Sequence, residues 1–182
     1  MHDAASARLY EAGISGRGII GDGHPLETIA IDEIERLHDD RFEFCRVAGY
    51  DGKHVAALVM ACFNEFGDLH DLVAFSLRSG RIATYTGRAS MLGAENCFRP
   101  RIDLETPTGK SPPLRVHATI AGWLRSGRDG VFIFRPQAAA PLLQLVGPLA
   151  VDCPVFARKL AEQLTIQPPQ LVCRATHGSA AA

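Results

Sequence analysis

Residues 114–176 read LRVHATIAGWLRSGRDGVFIFRPQAAAPLLQLVGPLAVDCPVFARKLAEQLTIQPPQLVCRAT, and their periodicity decides the fold. Short apolar runs (LRVHA, GVFIF, PLAVD, QLVCRA) alternate with longer stretches of helix-forming composition (TIAGWLRSG, PQAAAPLLQLVG, PVFARKLAEQL). Such alternation predicts right-handed crossovers and a mostly parallel sheet. The runs are apolar without a polar face, as expected of strands covered on both sides. The spacing therefore predicts a βαβαβαβ unit over 114–176, with a frayed tail over 177–182.

Upstream, the pattern changes. RFEFCRVAGY, HVAALVMACFNE, DLVAFSL and RIATYTG are rich in β-branched and aromatic residues and are separated by turn signals such as Asp51-Gly52 and Glu65-Phe66-Gly67-Asp68. These predict an antiparallel meander within residues 41–98, ending in a short helix over SMLGAENCF. A proline-containing loop over 99–113 follows and is the candidate hinge. Residues 1–40 read as an acidic N-terminal extension: a helix over 3–12, a connector rich in glycine, and ETIAIDEIERL (27–37) as a strand running into a helix. The expected class is α+β, an antiparallel meander followed by a small parallel α/β sheet with flanking helices, with 41–176 as one globular domain.

A chain of 182 residues with 47% apolar and 21% charged side chains can build a real core. No apolar run approaches the roughly 18 residues of a membrane span, and Met1-His2-Asp3 does not open like a signal peptide. A cytoplasmic protein with no membrane contact is expected. Cys45, Cys62, Cys97, Cys153 and Cys173 form no paired zinc spacing. They read as reduced, structural thiols.

Charge is divided by position. Residues 1–77 hold 6 Lys/Arg against 14 Asp/Glu, whereas residues 78–135 hold 10 against 4. A near-neutral total thus conceals an acidic segment followed by a basic one, a pattern that suits an anionic partner or, alternatively, mutual cancellation. The basic segment is mainly arginine: Arg78, Arg81, Arg88, Arg99, Arg101, Arg115, Arg125, Arg128 and Arg135, with Lys110. Guanidinium forks suit bidentate phosphate contacts, and Tyr85, Phe98 and Trp123 lie among them as possible base-stacking rings. Trp123 shares a helical face with Ile120 and Leu124, which places it in the core.

Other motifs carry less. Gly16-Arg17-Gly18-Ile19-Ile20-Gly21 matches a dinucleotide fingerprint, but the residues before it read as helix and Asp22 follows, so it reads as a connector. Asp68-x-His70-Asp71 has metal-ligand chemistry but sits where turn formers belong. The run Asp32-Glu33-Glu35 with Asp39-Asp40 reads as a solvated helix face. His117 falls at the end of a predicted parallel strand, where open α/β sheets line ligand crevices. No G-x-S-x-G elbow or Walker A loop is present, and no cofactor is expected.

The order of parts resembles the Toprim domain of phage- and plasmid-borne primases over roughly residues 41–175. Leu149-Ala150-Val151-Asp152-Cys153-Pro154, leading into VFARKLAEQL, is similar to the Toprim strand that ends in an Asp-x-Asp pair and enters an amphipathic helix. The run GDLHDLVAFSLRSGRIATYTGRASMLGAENCF resembles the segment before Toprim in such primases. The family holds divalent metal with a Glu after the first strand and with that Asp pair. Here LRVHA runs into Thr119 and Ile120 with no carboxylate, and Pro154 stands in the second place of the pair. The resemblance implies a degenerate member that keeps the scaffold and has lost the metal chemistry, with Asp152 as a helix cap.

These readings converge on a non-catalytic accessory protein, from a mobile element, that binds nucleic acid or a nucleic-acid-processing complex through its arginines. A protein–protein or inhibitor module is one alternative. A small enzyme using His117 and Asp152 at the strand ends is another.

Overall fold

A computed structural model of the chain describes Ile14 and residues 29–37, 39–45, 54–76, 78–98 and 112–164. Two sheets pack through a shared apolar layer, and the architecture is α+β as expected. The first sheet holds β1 (Ala30–Arg36), β2 (Phe42–Phe44), β3 (His54–Phe63), β4 (Leu69–Ser76) and β5 (Ile82–Thr84) in the order β2-β1-β3-β4-β5, all antiparallel.

Three expectations are corrected here. Residues 30–36 are strand throughout and do not run into a helix. The sheet thereby takes in residues assigned to the extension, and Asp32, Glu33 and Glu35 lie on a strand. β1 also sits between β2 and β3 (Glu35 is opposite both Glu43 and His54), so the expected meander within residues 41–98 holds only from β3 onward. The charges on β1 hid the strand because only Ile31 and Ile34 meet apolar neighbours, each on a different face.

β3 is apolar on both faces, for a physical reason. Leu58, Met60 and Cys62 face the second sheet, against Leu92, Trp123, Leu124 and Phe132. Ala57 and Val59 face inward, with Ile34, Phe42, Ala74 and Ala83. The inner side carries alanine from three strands, which lets the sheet bend tightly. It curls until its two edges meet: Arg41 bridges Thr84, and Thr84 N–H donates to the Asp40 carbonyl at 2.9 Å. Phe42, fully buried, fills the curl and touches Phe44 and Tyr85 at ring-centroid distances of 5.4 and 5.7 Å.

The second sheet holds β6 (Met91–Leu92), β7 (Leu114–His117), β8 (Val131–Ile133) and β9 (Leu149–Val151) in the order β6-β8-β7-β9. β7 is parallel to β8 and β9, as the alternation of strand and helix predicts, and β6 adds an antiparallel edge. The helix expected over SMLGAENCF is therefore a two-residue strand followed by a 3₁₀ turn over Ala94–Asn96.

Three helices follow the parallel strands: α1 (Ile120–Arg125), α2 (Pro136–Val146) and α3 (Pro154–Leu164). α1 packs Ile120, Trp123 and Leu124 between the sheets. α2 and α3 cover the other face, where Ala139, Leu143 and Leu160 meet Leu114, Val116, Val131 and Ile133. Trp123 is buried, and its indole N–H donates to the Gly130 carbonyl at 3.1 Å. No helix among the described residues is long and apolar enough to cross a membrane. The glycine-rich connector, the strand QLVCRA, Cys173, the tail and residues 99–111 of the hinge lie outside the described residues.

Candidate functional site

The residues that leave β5, Tyr85 to Ser90, have little regular secondary structure, and one buried and one half-buried charge fix them from opposite sides. Asp71, 4% exposed at the start of β4, accepts backbone N–H bonds from Thr86 and Leu72 at 2.8 Å, Arg88 at 2.9 Å and Ala89 at 3.0 Å. Burial alone would raise its pKa, but the N–H donors outweigh that and hold the carboxyl below the ordinary range. From the other side Arg135 donates to the carbonyls of Gly87 at 2.6 Å and Ala89 at 3.2 Å, and to the Thr84 hydroxyl at 3.1 Å. A segment with few ladder bonds is thereby fixed through side-chain hydrogen bonds to its backbone. Asp71 is thus a structural carboxylate, and Arg135 is spent inside the fold.

What this frame displays is basic and aromatic. Tyr85 rests on Phe42 and Phe44, both at 5.7 Å, and leaves 46% of its surface exposed. Arg88, three residues on, is exposed, and the stem of Arg41 lies along Gly87, whose φ of +86° leaves a backbone open to that contact. Arg78 and Arg81 are exposed in the β4–β5 turn. Arg78, Arg81 and Arg88 make no ion pair among the described residues, whereas Arg41 pairs with Asp39. β4 spans the distance from Arg81 to the Asp71 anchor, so this basic strip runs roughly 17 Å at the rise of a strand. Arg41 went unread as a site residue because it belongs to the acidic half; only closure of the curled sheet delivers it here.

The remaining arginines are dispersed. Arg115 on β7 pairs with Asp129 at 3.1 Å. Arg128 lies over the Trp123 ring at 5.7 Å, and Arg125 is exposed at the end of α1. These three surround the α1–β8 turn, a location separate in sequence and sheet from the strip. Arg99, Arg101 and Lys110 lie outside the described residues. Of the other candidate stacking rings, Phe98 is exposed and Trp123 is not. Arg36–Asp40 and Arg41–Asp39 pair within the acidic half, and Arg115–Asp129 within the basic one.

His117 and Asp152 stand at the ends of neighbouring parallel strands. Val116 is in register with Val151, so the next residues of β7 and β9 stand at neighbouring strand ends. The chain crosses from β7 to β8 and then back over β7 to β9, which makes this the switch point of the parallel strands. The two groups differ in setting. Asp152 is exposed, whereas His117 is buried, with Nε2 2.7 Å from the Asp129 carbonyl and 3.3 Å from the Ser126 hydroxyl. Because a carbonyl only accepts, Nε2 carries the proton, and the ring ties β7 to the α1–β8 turn. Nδ1 faces Gly122, where an added Cβ would sit 3.7 Å away.

No group of three or more His, Cys, Asp or Glu side chains among the described residues is placed to hold a metal ion. Cys62 and Cys97 are buried, Cys45 is half-buried and Cys153 is exposed. Burial, with the charges of Glu95 and Asp71, pushes the Cys62 thiol up to about 12. Compared with protein-family models, curated proteins and solved structures, the chain matches none.

Proposed function

We propose that this protein is a non-catalytic accessory protein that binds nucleic acid along the strip Arg78, Arg81, Tyr85 and Arg88, on a Toprim-like scaffold that has lost its metal carboxylates. The observation that carries this reading is three exposed guanidinium groups, without an ion pair among the described residues, in the same stretch of chain as a half-exposed tyrosine. Arginines at fixed spacing neutralise successive phosphates, and a tyrosine braced from behind offers a stacking surface at low entropic cost. The imidazole of His117, bound to a backbone carbonyl, supports a structural part for that residue and with it the non-catalytic reading.

Fluorescence anisotropy with labelled single- and double-stranded DNA and RNA, titrated with salt, tests the proposal. Micromolar binding at low salt is expected, weakening steeply as salt rises. Arg78→Ala, Arg81→Ala and Arg88→Ala together should lower the log–log salt slope by about 2, at roughly 0.7 to 0.9 per phosphate contact. Tyr85→Ala should weaken single strands more than duplexes. Absence of binding at low salt, or binding that the triple variant leaves unchanged, refutes it.

A further inference from the structure

The β3–β4 hairpin ends in an apolar tip. Phe66 is 79% exposed and Leu69 50%, while Phe63, paired across the hairpin with Leu69, is half-buried. Removing an exposed Phe or Leu side chain from water is favourable, so a tip that displays two of them gains by meeting an apolar surface.

The tip is also rigid. The Asn64 side-chain carbonyl accepts from the N–H of Phe66 and of Asp68, both at 2.9 Å, and its amide donates to the Asp68 carboxylate at 3.3 Å. Backbone bonds from Asn64 N–H to the Asp68 carbonyl at 2.9 Å and from Gly67 N–H to the Asn64 carbonyl at 3.1 Å close the turn, with Gly67 at φ +86°. A register shift at Cys62/Phe63 sets the last pair of the hairpin off from the rest of the ladder. Such a turn displays Phe66 on a backbone whose conformational entropy is already spent, as preorganised binding elements do. Glu65 and Asp68 flank Phe66, and neither carboxylate has a cationic partner among the described residues.

We infer that residues 63–69 are a docking prong for a protein partner, inserting Phe66 and Leu69 into an apolar pocket rimmed by Lys or Arg that face Glu65 and Asp68. Charge selects this occupant. An anionic lipid surface would be repelled by the two carboxylates. A second copy meeting the tip about a two-fold axis would set each carboxylate against its own counterpart. Aromatic anchors at the centre of an interface carry a large share of its affinity. The inference does not depend on nucleic-acid binding.

Full-length protein carrying the photo-crosslinker p-benzoylphenylalanine at position 66, expressed in its host and irradiated, provides the test. The expected result is one dominant cross-linked protein whose cross-links map to an apolar pocket bordered by Lys or Arg. Its affinity for the purified chain should fall at least tenfold with Phe66→Ala, and also with Glu65→Gln combined with Asp68→Asn. Melting and nucleic-acid anisotropy should stay unchanged. Cross-links to lipid, to a second copy or to no protein overturn the inference, as does a partner whose affinity Phe66→Ala and Leu69→Ala leave unmoved.

Discussion

Asp71 brings a negative charge into the joint between the sheets and meets four backbone donors there. Replacing it with asparagine turns one accepting oxygen into an amide that confronts N–H groups. Asp71→Asn should therefore destabilise the fold by about 1–3 kcal/mol near neutral pH, measured by urea unfolding. The folded-state pKa lies below the ordinary value, so this contribution is fully present above the unfolded-state value near ~4. It drains away as pH falls through the folded value, and the gap between wild type and Asp71→Asn should shrink in acid. Nothing local distinguishes Asp71 from Asp68 in the sequence. Both stand in a turn-like polar run, and only contact with residues 86–89 separates a buried staple from a flank of the prong. Arg135 makes the same point, since its donors go to residues 84–89, far away along the chain.

Among the elements, β7, β8, β9 and their helices were legible because short apolar runs without a polar face alternate with longer stretches of helix-forming composition. β1 and β6 were not. β1 carries carboxylates where the first sheet meets solvent, and β6 is two residues long, below any window in which alternation can be counted. The close approach of β7 to the turn before β8 depends on a tight glycine, Gly130. A Cβ at Gly130 would stand 2.3 Å from the Arg115 carbonyl, and φ there is +77°. Gly130→Ala should destabilise by about 2–4 kcal/mol, shown by a drop in melting temperature of roughly 2–4 °C per kcal/mol in a chain this size. Gly67→Ala, at a similar φ but with no atom within 4 Å of the added carbon, should cost less.

For the molecule as a whole, closure of the curled sheet is the decisive event. It unites β2 with β5, brings Arg41 to Gly87 and sets Tyr85 over Phe42. Phe42→Ala should leave a cavity at the centre of the curl and destabilise by about 3–5 kcal/mol. Because Tyr85 would lose part of its support, single-strand affinity should fall in the same variant, read by anisotropy under conditions where it remains folded. By itself the sequence determined the class of the protein, the parallel strand–helix order after residue 113, the placing of Trp123 in the core and the division of charge. These follow from local periodicity and composition, which any short window contains. Tertiary structure alone decided the insertion of β1 between β2 and β3, the placing of His117 and Asp152 at neighbouring strand ends, and the inward use of Asp71 and Arg135. It also decided which arginines stay exposed. Each of these depends on contacts between residues distant in sequence, and such pairings are set by how whole faces fill space together, which no single segment encodes.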